Sequence, residues 1–343
     1  MIEINADEFN KLKICPNPEC CSSGIFFLFS CPDRLTNSPG EFSVYKCKNC
    51  GFVFQNPRIN LECQETYHPK KIWHSISNIE SLLKTNQNNS LKDFFKKQAL
   101  INHFNYSFAK KNIFYFFLSW PFRRILKTFC FPNFQQGGKL LEIGCSNGYF
   151  LKEMQNLGWE TKGVEPDQES SFVASNSCGL CVENKKIENC NFKESEFDAI
   201  VARMVLAHLY NPFETLQTIT SWLKKDGQLI FSIPYFFGVE FKWFKNFCYG
   251  LQLPTMISFF SKKMLRDNLK KIGYDQIKFY HHYFDRDIVA SANYKYQATG
   301  KLFYKLLSEN KSVRLLIIRP LSVILGVMGL TSRVSVYATL LKK

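Results

Sequence analysis

The cysteines near the start of the chain have the spacing of a metal site. Four of them form two close pairs, Cys15 with Cys20 and Cys47 with Cys50. Structural zinc is held by four thiolates, usually as two close pairs on tight turns. Gly51, directly after the second pair, suits the left-handed backbone that such a turn needs. Reduced, buried cysteines are the alternative interpretation, and Cys21 or Cys31 could take the place of Cys20 in the metal site.

A site with four protein thiolates has no open position, so the predicted zinc is structural. Apolar runs over residues 25–29 and 42–45 are typical of strands, and they lie between the two cysteine pairs. Such a short module buries little apolar surface, so metal binding is expected to supply most of its folding free energy. The sequence therefore predicts a small zinc ribbon over residues 1–66.

A second candidate site follows an apolar run that predicts a buried strand over residues 140–143. Gly144 and Gly148 come next, with a spacing that differs from the G-x-G-x-x-G turn of dinucleotide-binding proteins. Glu142 ends the strand, where a carboxylate without a compensating charge would oppose a pyrophosphate and favour a ligand that carries an ammonium and a sulfonium. Glu165 follows the next predicted strand and is placed to accept hydrogen bonds from ribose hydroxyls.

Strands and helices alternate through the centre of the chain. The predicted strands cover residues 140–143, 160–164, 180–183, 197–202 and 228–233, and a helix is predicted over residues 212–223. This alternation is typical of a parallel, doubly wound α/β sheet, in which ligands bind beyond the carboxyl ends of the strands. Glu142 and Glu165 both lie at such ends.

Five segments resemble, in order, the motifs of class I S-adenosylmethionine-dependent methyltransferases. They are LLEIGCSNGYFL, GVEPD, FDAIVARMVLAHLYNP, LKKDGQLIFSIP and FFSKKMLRDNLKKIGYD. The cysteine pairs, the segment CGFVFQNPR and a tyrosine-containing stretch at residues 65–69 resemble a subgroup with a zinc-binding domain, which includes methyltransferases of sugar-nucleotide and polysaccharide biosynthesis. The resemblance covers most of residues 12–66 and 138–285. It implies a Rossmann-like methyltransferase sheet, an S-adenosyl-L-methionine cofactor and structural Zn²⁺.

The resemblance also implies roles for particular residues. Those expected to bind the cofactor are Glu142, Gly144, Cys145, Ser146, Gly148, Glu165, Pro166, Ile187, Arg203 and Met204. The turn residues would line the methionine portion through backbone contacts, and Glu165 would bind the ribose. Pro166 and Ile187 would lie near the adenine. Arg203 and Met204 follow the fourth strand, where the family faces the acceptor.

His208 is the candidate catalytic base, and simple packing at the start of a helix is the alternative. The family often has Glu before this histidine, whereas the chain has Ala207, so an acid that would orient the imidazole is missing. Sugar C-methyltransferases of the subgroup also carry a Tyr-His-Glu-His stretch after the fifth strand, and residues 253–261 contain neither His nor Glu. Carbon methylation needs a base to form a carbanion or enolate, so methylation of oxygen or nitrogen is favoured.

Basic residues flank the predicted methyltransferase domain. The chain has 44 Lys and Arg against 29 Asp and Glu, a net charge of +15. Residues 67–137 hold 11 basic and 2 acidic side chains, and residues 238–343 hold 18 and 6, whereas residues 138–237 hold 9 and 13. This distribution favours an anionic partner over a basic surface that serves solubility alone.

The flanking segments themselves are predicted to be helical. Residues 67–137 are interpreted as a helical linker or lid on the next domain, and a basic aromatic face is the alternative. Residues 138–343 are expected to form the methyltransferase domain, with a helical insertion at about 293–330 that is broken at Arg319-Pro320. The Leu- and Arg-rich insertion predicts an interfacial membrane contact, or else a cap over the pocket or a dimer face. A last strand is predicted over residues 334–341.

The sequence thus predicts a cytoplasmic enzyme that methylates oxygen or nitrogen of a small, anionic acceptor, phosphorylated or lipid-linked, such as a sugar intermediate of polysaccharide biosynthesis. Neither a secretory signal nor a run of apolar residues long enough to cross a bilayer is evident. A quinone or lipid methyltransferase at the inner face of a membrane and a catalytically silent cofactor-binding module are the alternatives. Nucleic acid is disfavoured as a partner, because no Asn/Asp-Pro-Pro-Tyr-like motif follows the fourth strand.

Overall fold

The computed structural model describes residues 8–67 and 91–341 of the chain. Its strands are β1 (Phe9–Asn10), β2 (Ile25–Pro32), β3 (Glu41–Cys47), β4 (Val53–Gln55), β5 (Arg58–Ile59), β6 (Lys139–Ile143), β7 (Glu160–Val164), β8 (Val182–Glu183), β9 (Phe197–Arg203), β10 (Leu223–Pro234), β11 (Ser258–Phe259), β12 (Tyr274–His281) and β13 (Arg333–Leu340). Its α-helices are α1 (Leu91–Phe104), α2 (Ile113–Leu118), α3 (Trp120–Thr128), α4 (Tyr149–Asn156), α5 (Gln168–Phe172), α6 (Pro212–Trp222), α7 (Val239–Phe244), α8 (Lys262–Lys271), α9 (Arg286–Thr299), α10 (Leu302–Glu309), α11 (Lys311–Val313) and α12 (Arg319–Val327).

The main sheet has seven strands in the order β12-β13-β10-β9-β6-β7-β8. Strands β10, β9, β6, β7 and β8 run parallel, and β13 lies antiparallel between β10 and β12. The order reverses beside β6, as in other doubly wound sheets. The predicted Rossmann-like α/β fold is confirmed, and the carboxyl ends of β6, β7 and β9 meet at one edge.

Both faces of this sheet are covered, which explains the almost continuous apolar runs of its strands. One face packs on α6 and α8, where Phe213 and Leu265 are buried against Leu141 and Ile200. The other face packs on α1, α3 and α4, with Phe104 and Phe150 among the buried side chains. The segment before β6 is therefore part of the core of the domain.

The cysteine-rich segment forms a second sheet, in the order β11-β4-β3-β2. Strand β11 comes from much later in the chain, and its Ser258 and Phe259 pair with Phe54 and Val53 of β4. Phe52 packs against Phe213 and Phe260, with ring centroids 5.6 and 5.5 Å apart. This second sheet is thus built jointly by the ribbon and the segment that follows β10.

The linker contains one helix that packs and one that does not. In α1, Leu100, Ile101 and Phe104 are buried, as helical periodicity predicts. In α2, no residue is buried, although the sequence of this helix is apolar and was expected to cover the next domain. The beginning of the predicted linker, and the end of the tyrosine-containing stretch at 65–69, lie outside the described residues.

The C-terminal insertion differs from its prediction in one respect. The helical path continues through Arg319-Pro320, where a break was expected, and the interruptions lie at Gly300 and Asn310 instead. Pro320 falls in the first turn of α12, directly after a π-helical turn over Arg314–Ile318, and a missing N–H costs little there. None of the helices in the described ranges has the length and apolar character needed to cross a bilayer.

Candidate active site and metal centre

The four cysteines of the predicted metal site lie together. Their Sγ atoms are all within 4.8 Å of one another. The Sγ atoms of Cys15 and Cys50 are 3.6 Å apart, and those of Cys20 and Cys47 are 3.7 Å apart. Zn–S bonds of about 2.3 Å in a tetrahedron place neighbouring sulfurs about 3.8 Å apart, so the four thiolates fit Zn²⁺.

The backbone around the cluster has the turns that bring each cysteine pair together. Cys47 N–H donates to the carbonyl of Phe52, and Gly51 N–H donates to the carbonyl of Cys47, with Gly51 in the left-handed conformation. Cys21 is exposed and directs its thiol to the carbonyls of Asn17 and Pro18. Cys31 is buried in a separate apolar cluster. Of the three alternatives that the sequence left open, Cys20 is the one that the fold brings to the other three cysteines.

The glycine turn after β6 is tight enough to require glycine. Gly144 and Gly148 both have positive φ, 69° and 78°. A Cβ on Gly144 would lie 2.6 Å from Val205 Cγ2, and one on Gly148 would lie 2.4 Å from Leu180 Cδ1. Without side chains, the backbone N–H groups of this turn can approach a ligand closely at the carboxyl end of β6.

The Glu165 carboxylate lies beside this turn. Its Oε2 accepts a hydrogen bond from Ser146 N–H at 2.8 Å, and its Oε1 accepts one from Asp167 N–H at 3.0 Å. These bonds tie the end of β7 to the glycine turn. Each carboxylate oxygen can accept more than one hydrogen bond, so the group can still receive the two hydroxyls of a ribose. The residues present therefore fit the nucleoside part of S-adenosylmethionine.

Glu142 has a different environment from the one that its position in the sequence suggests. It is fully buried, and its Oε1 accepts hydrogen bonds from Arg203 Nε and Nη2 at 2.9 and 2.8 Å. Burial raises the pKa of Glu142 to about 7, and the Arg203 charge acts in the opposite direction. The expectation of an uncompensated carboxylate for a cationic ligand was wrong, because the neighbouring strand supplies the cation from Arg203.

The remaining predicted cofactor residues are spread around the same edge of the sheet. Cys145 is buried, and a Cβ on Gly163 of β7 would lie 2.8 Å from its Sγ. Pro166 is exposed, whereas Ile187 is buried in a short 3₁₀ turn. Met204 has φ of 62°, and its N–H donates to the carbonyl of Ser232 at 2.9 Å. This bond ties the loop after β9 to the end of β10.

His208 lies in this same loop and is held by a carbonyl group. Its Nδ1 is 2.9 Å from the carbonyl oxygen of Thr255, which can only accept a hydrogen bond. Nδ1 therefore carries the proton, and the lone pair of the neutral imidazole is on Nε2. The acid that the family often has beside this histidine is replaced by a backbone carbonyl from residues 253–261, the stretch that lacks His and Glu.

Three polar residues of the ribbon were missed by the sequence reasoning, and two of them contact this loop. Gln64 Nε2 donates to the carbonyl of His208 at 2.7 Å, and Arg58 Nη1 donates to the carbonyl of Tyr210 at 3.0 Å. Gln55 is fully buried, and neither of its amide atoms has a hydrogen-bond partner within the part of the chain that the structure describes. The signal for Gln55 and Arg58 was present in QNPR, a polar run directly after an apolar strand.

The comparison with known families agrees with this geometry. Residues 120–278 match the family described as "Methyltransferase domain". Over this part, slightly less than half of its length, the chain is similar to methyltransferases. The match confirms the prediction of an S-adenosylmethionine-dependent methyltransferase domain, and the strands that hold the glycine turn, Glu165 and His208 all lie within it.

Individual relatives resemble parts of the methyltransferase domain. A ubiquinone biosynthesis O-methyltransferase of Glaesserella parasuis is 31% identical over 106 residues, 28% of this chain and 45% of that protein. A tRNA U34 carboxymethyltransferase of Campylobacter hominis is 32% identical over 103 residues, 27% of this chain and 35% of that protein. A solved methyltransferase from Thermotoga maritima is 18% identical, with a TM-score of 0.42 over 63% of this chain and 89% of that one. The chain spans less than half the length of the first two relatives.

Proposed function

We propose that this protein transfers the methyl group of S-adenosylmethionine to an oxygen or nitrogen of a small acceptor. The observation that carries the proposal is the arrangement at one edge of the sheet. There the glycine turn follows β6, Glu165 follows β7, and His208, oriented by the Thr255 carbonyl, follows β9. A small anionic acceptor, such as a sugar intermediate of polysaccharide biosynthesis, agrees with the basic segments on either side of the domain. The four-cysteine cluster holds structural zinc.

Different residues of the chain have different roles in this methyl transfer. Bound S-adenosylmethionine supplies an electrophilic methyl group. The glycine turn and Glu165 hold the nucleoside and the methionine portion by backbone and carboxylate hydrogen bonds. His208 Nε2 accepts the proton that the acceptor hydroxyl or amine loses when its oxygen or nitrogen forms the new bond to carbon. One oriented base is sufficient for this chemistry, and alignment of acceptor and methyl group supplies much of the rate.

Replacing Glu165 with Ala is expected to weaken binding of S-adenosylmethionine and S-adenosylhomocysteine. The loss should be about ten- to a hundredfold, the usual cost of deleting a hydrogen bond to a charged group. Calorimetric titration of zinc-loaded protein measures it, with NAD as a negative ligand. Glu183→Ala is a matched control, because Glu183 is the carboxylate at the end of the neighbouring strand β8. Equal affinity of Glu165→Ala and the unmodified protein would contradict the assignment.

His208→Gln is expected to slow methyl transfer by about a hundredfold, which is within the usual contribution of a general base. Affinity for S-adenosylhomocysteine should be unchanged, because His208 acts on the acceptor side. Radiolabelled methyl transfer to sugar phosphates, lipid-linked sugars, quinols and tRNA gives both the acceptor and the rate. An unchanged rate would assign His208 a packing role.

A quinone-type or other lipid acceptor is a second candidate. Ubiquinone biosynthesis O-methyltransferases are among the relatives, and methylation of a quinol hydroxyl requires the same single base. Methylation of quinols in the acceptor panel, with no transfer to sugar phosphates, would favour this candidate. Transfer to tRNA, weakened by salt, would contradict both small-molecule proposals.

A further inference from the structure

Two groups of helices leave large apolar side chains uncovered. In α2, Ile113 is 73% exposed and Phe117 is 68% exposed, and no residue of this helix is buried. In α10 no residue is buried either, and Leu316, in the π-helical turn before α12, is 72% exposed. Soluble proteins rarely leave a large contiguous apolar patch in water unless it binds something.

These two groups are next to each other. Arg124 of α3 donates through Nη2 to the carbonyls of Gly326 and Val327 at 2.9 and 3.0 Å, at the end of α12. Its guanidinium also lies 5.6 Å from the centroid of the Tyr283 ring. The α2–α3 segment and the α10–α12 segment are therefore joined on one side of the molecule. We call their combined surface the apolar face, with exposed members Ile113, Phe114, Phe117, Leu118, Trp120, Leu302, Phe303, Leu306, Leu315, Leu316, Ile317, Val323, Ile324, Val327 and Met328.

The charge around the apolar face is mainly positive. Residues 94–141 contain eight Lys and Arg and no Asp or Glu, and residues 300–330 contain five basic residues and one acidic residue. Arg314 and Arg319 both pair with Asp285, at 2.7 and 2.9 Å. Lys110, Lys305 and Lys311 form no ion pair with any described residue. Apolar helices with a basic border suit a surface that presents hydrocarbon beneath anionic groups.

The apolar face also contains an open, shallow cleft. A cleft of about 760 Å³ opens between α1, α2 and α3 and is lined by Phe116, Phe117 and Trp120. His103 and Arg123 border the same cleft. An aromatic cleft with a cationic arginine at its rim can take lipid hydrocarbon beside an anionic headgroup, and Trp is enriched where proteins meet the bilayer interface.

We propose that the apolar face docks on the surface of an anionic lipid bilayer. The helices are too short to cross the bilayer and lie on it, with Phe117 and Leu316 in the acyl boundary and the lysines among the headgroups. A second copy of the chain is the other occupant that would cover an apolar surface. It is disfavoured here, because two like-charged borders would meet. This proposal is independent of the acceptor of the methyl group.

Vesicle flotation of the full, zinc-loaded protein tests the docking. The probes are vesicles of phosphatidylcholine alone and vesicles with about 30% phosphatidylglycerol, at about 0.1 M and about 0.5 M salt. We expect binding to the anionic vesicles, reduced at the higher salt, and little binding to the neutral ones. Binding that is equal for both compositions, or no binding to either, overturns the proposal.

Two sets of variants separate the apolar and the charge contributions. Phe117→Ser with Leu316→Ser should lower the partition onto anionic vesicles by about tenfold or more, because apolar burial contributes to interfacial binding. The matched control is Phe27→Ser with Phe172→Ser, which removes two exposed rings outside the apolar face and should have no effect.

The charge variant removes lysines at the border. It combines Lys110→Gln, Lys305→Gln and Lys311→Gln, and its control combines Lys225→Gln, Lys263→Gln and Lys270→Gln, which are exposed lysines elsewhere. Only the first set should weaken binding, by about tenfold or more. A dimer in sedimentation velocity that is lost in Phe117→Ser with Leu316→Ser would overturn the proposal in favour of self-association.

Discussion

A Cys47→Ser variant is expected to lose its zinc and most of the ordered structure of the ribbon. Cys47 is fully buried at the end of β3, and its Sγ is one of the four of the proposed metal site. Structural zinc contributes about 10–16 kcal/mol to the folding of small zinc-binding modules, so loss of one ligand is severe. Metal analysis by mass spectrometry and hydrogen exchange over residues 8–67 measure both effects. Cys21→Ser is the control, because Cys21 neighbours the cluster but is exposed and outside it.

The damage should extend beyond the ribbon. Strand β4 pairs with β11, and residues 253–258 also supply the Thr255 carbonyl that orients His208. Hydrogen exchange should therefore rise at residues 253–261 in Cys47→Ser, whereas the strands β6 and β7 should keep their protection. Retention of one equivalent of zinc by Cys47→Ser would show that the cysteine cluster is not the metal site.

Replacing Arg203 with Leu is expected to destabilise the fold by about 3–5 kcal/mol at about pH 8, the usual cost of removing one partner of a buried ion pair. Burial raises the pKa of Glu142 to about 7 on folding, from an ordinary value of 4.5. A carboxyl with a raised pKa stabilises the fold below its ordinary pKa, and this contribution is lost as the pH rises through about 7. Without Arg203 the pKa of Glu142 rises further, so Glu142 carries a proton at about pH 5.5 and no unpaired charge is buried. The destabilisation by Arg203→Leu should therefore be much smaller at about pH 5.5. Urea unfolding at the two pH values measures it.

Two further variants test the cause of this effect. Glu142→Gln combined with Arg203→Leu should recover much of the lost stability at about pH 8, because no uncompensated charge is then buried. Lys139→Leu breaks the exposed Lys139–Glu160 pair and should cost only about 0–1 kcal/mol. The same destabilisation by Arg203→Leu at both pH values would show that its packing on Phe150 matters more than its charge.

The sequence predicts the central sheet well because each of its strands has a local signature. The run at residues 140–143 is apolar except for Glu142, and the glycines after it are required by the backbone of the turn. The strand predicted at 228–233 is longer in the structure, Leu223–Pro234, because its irregular beginning passes through Asp226 with φ of 63°. The ends of such elements depend on pairing with neighbours, which a single sequence does not contain.

The features that the sequence could not predict depend on contacts between distant segments. Arg203 and Glu142 are 61 residues apart, and only the parallel pairing of β6 with β9 brings their side chains together. The pairing of β4 with β11 likewise joins residues about 200 positions apart, so the ribbon was predicted as a separate module. The apolar sequence of α2 is typical of a packed helix, and helical periodicity cannot tell a core from a surface that binds a partner.

The strand shared between ribbon and methyltransferase domain has a thermodynamic consequence. Ser258 pairs with β4, and Thr255, three residues earlier, holds the His208 imidazole. Zinc that stabilises this sheet would also favour the arrangement of the proposed acceptor side of the site. Coupling between two ligands is reciprocal. An acceptor that engages His208 would therefore tighten the binding of zinc by the same factor by which zinc tightens the binding of the acceptor. The ribbon would then make the enzyme's affinity for its acceptor depend on the zinc concentration around it.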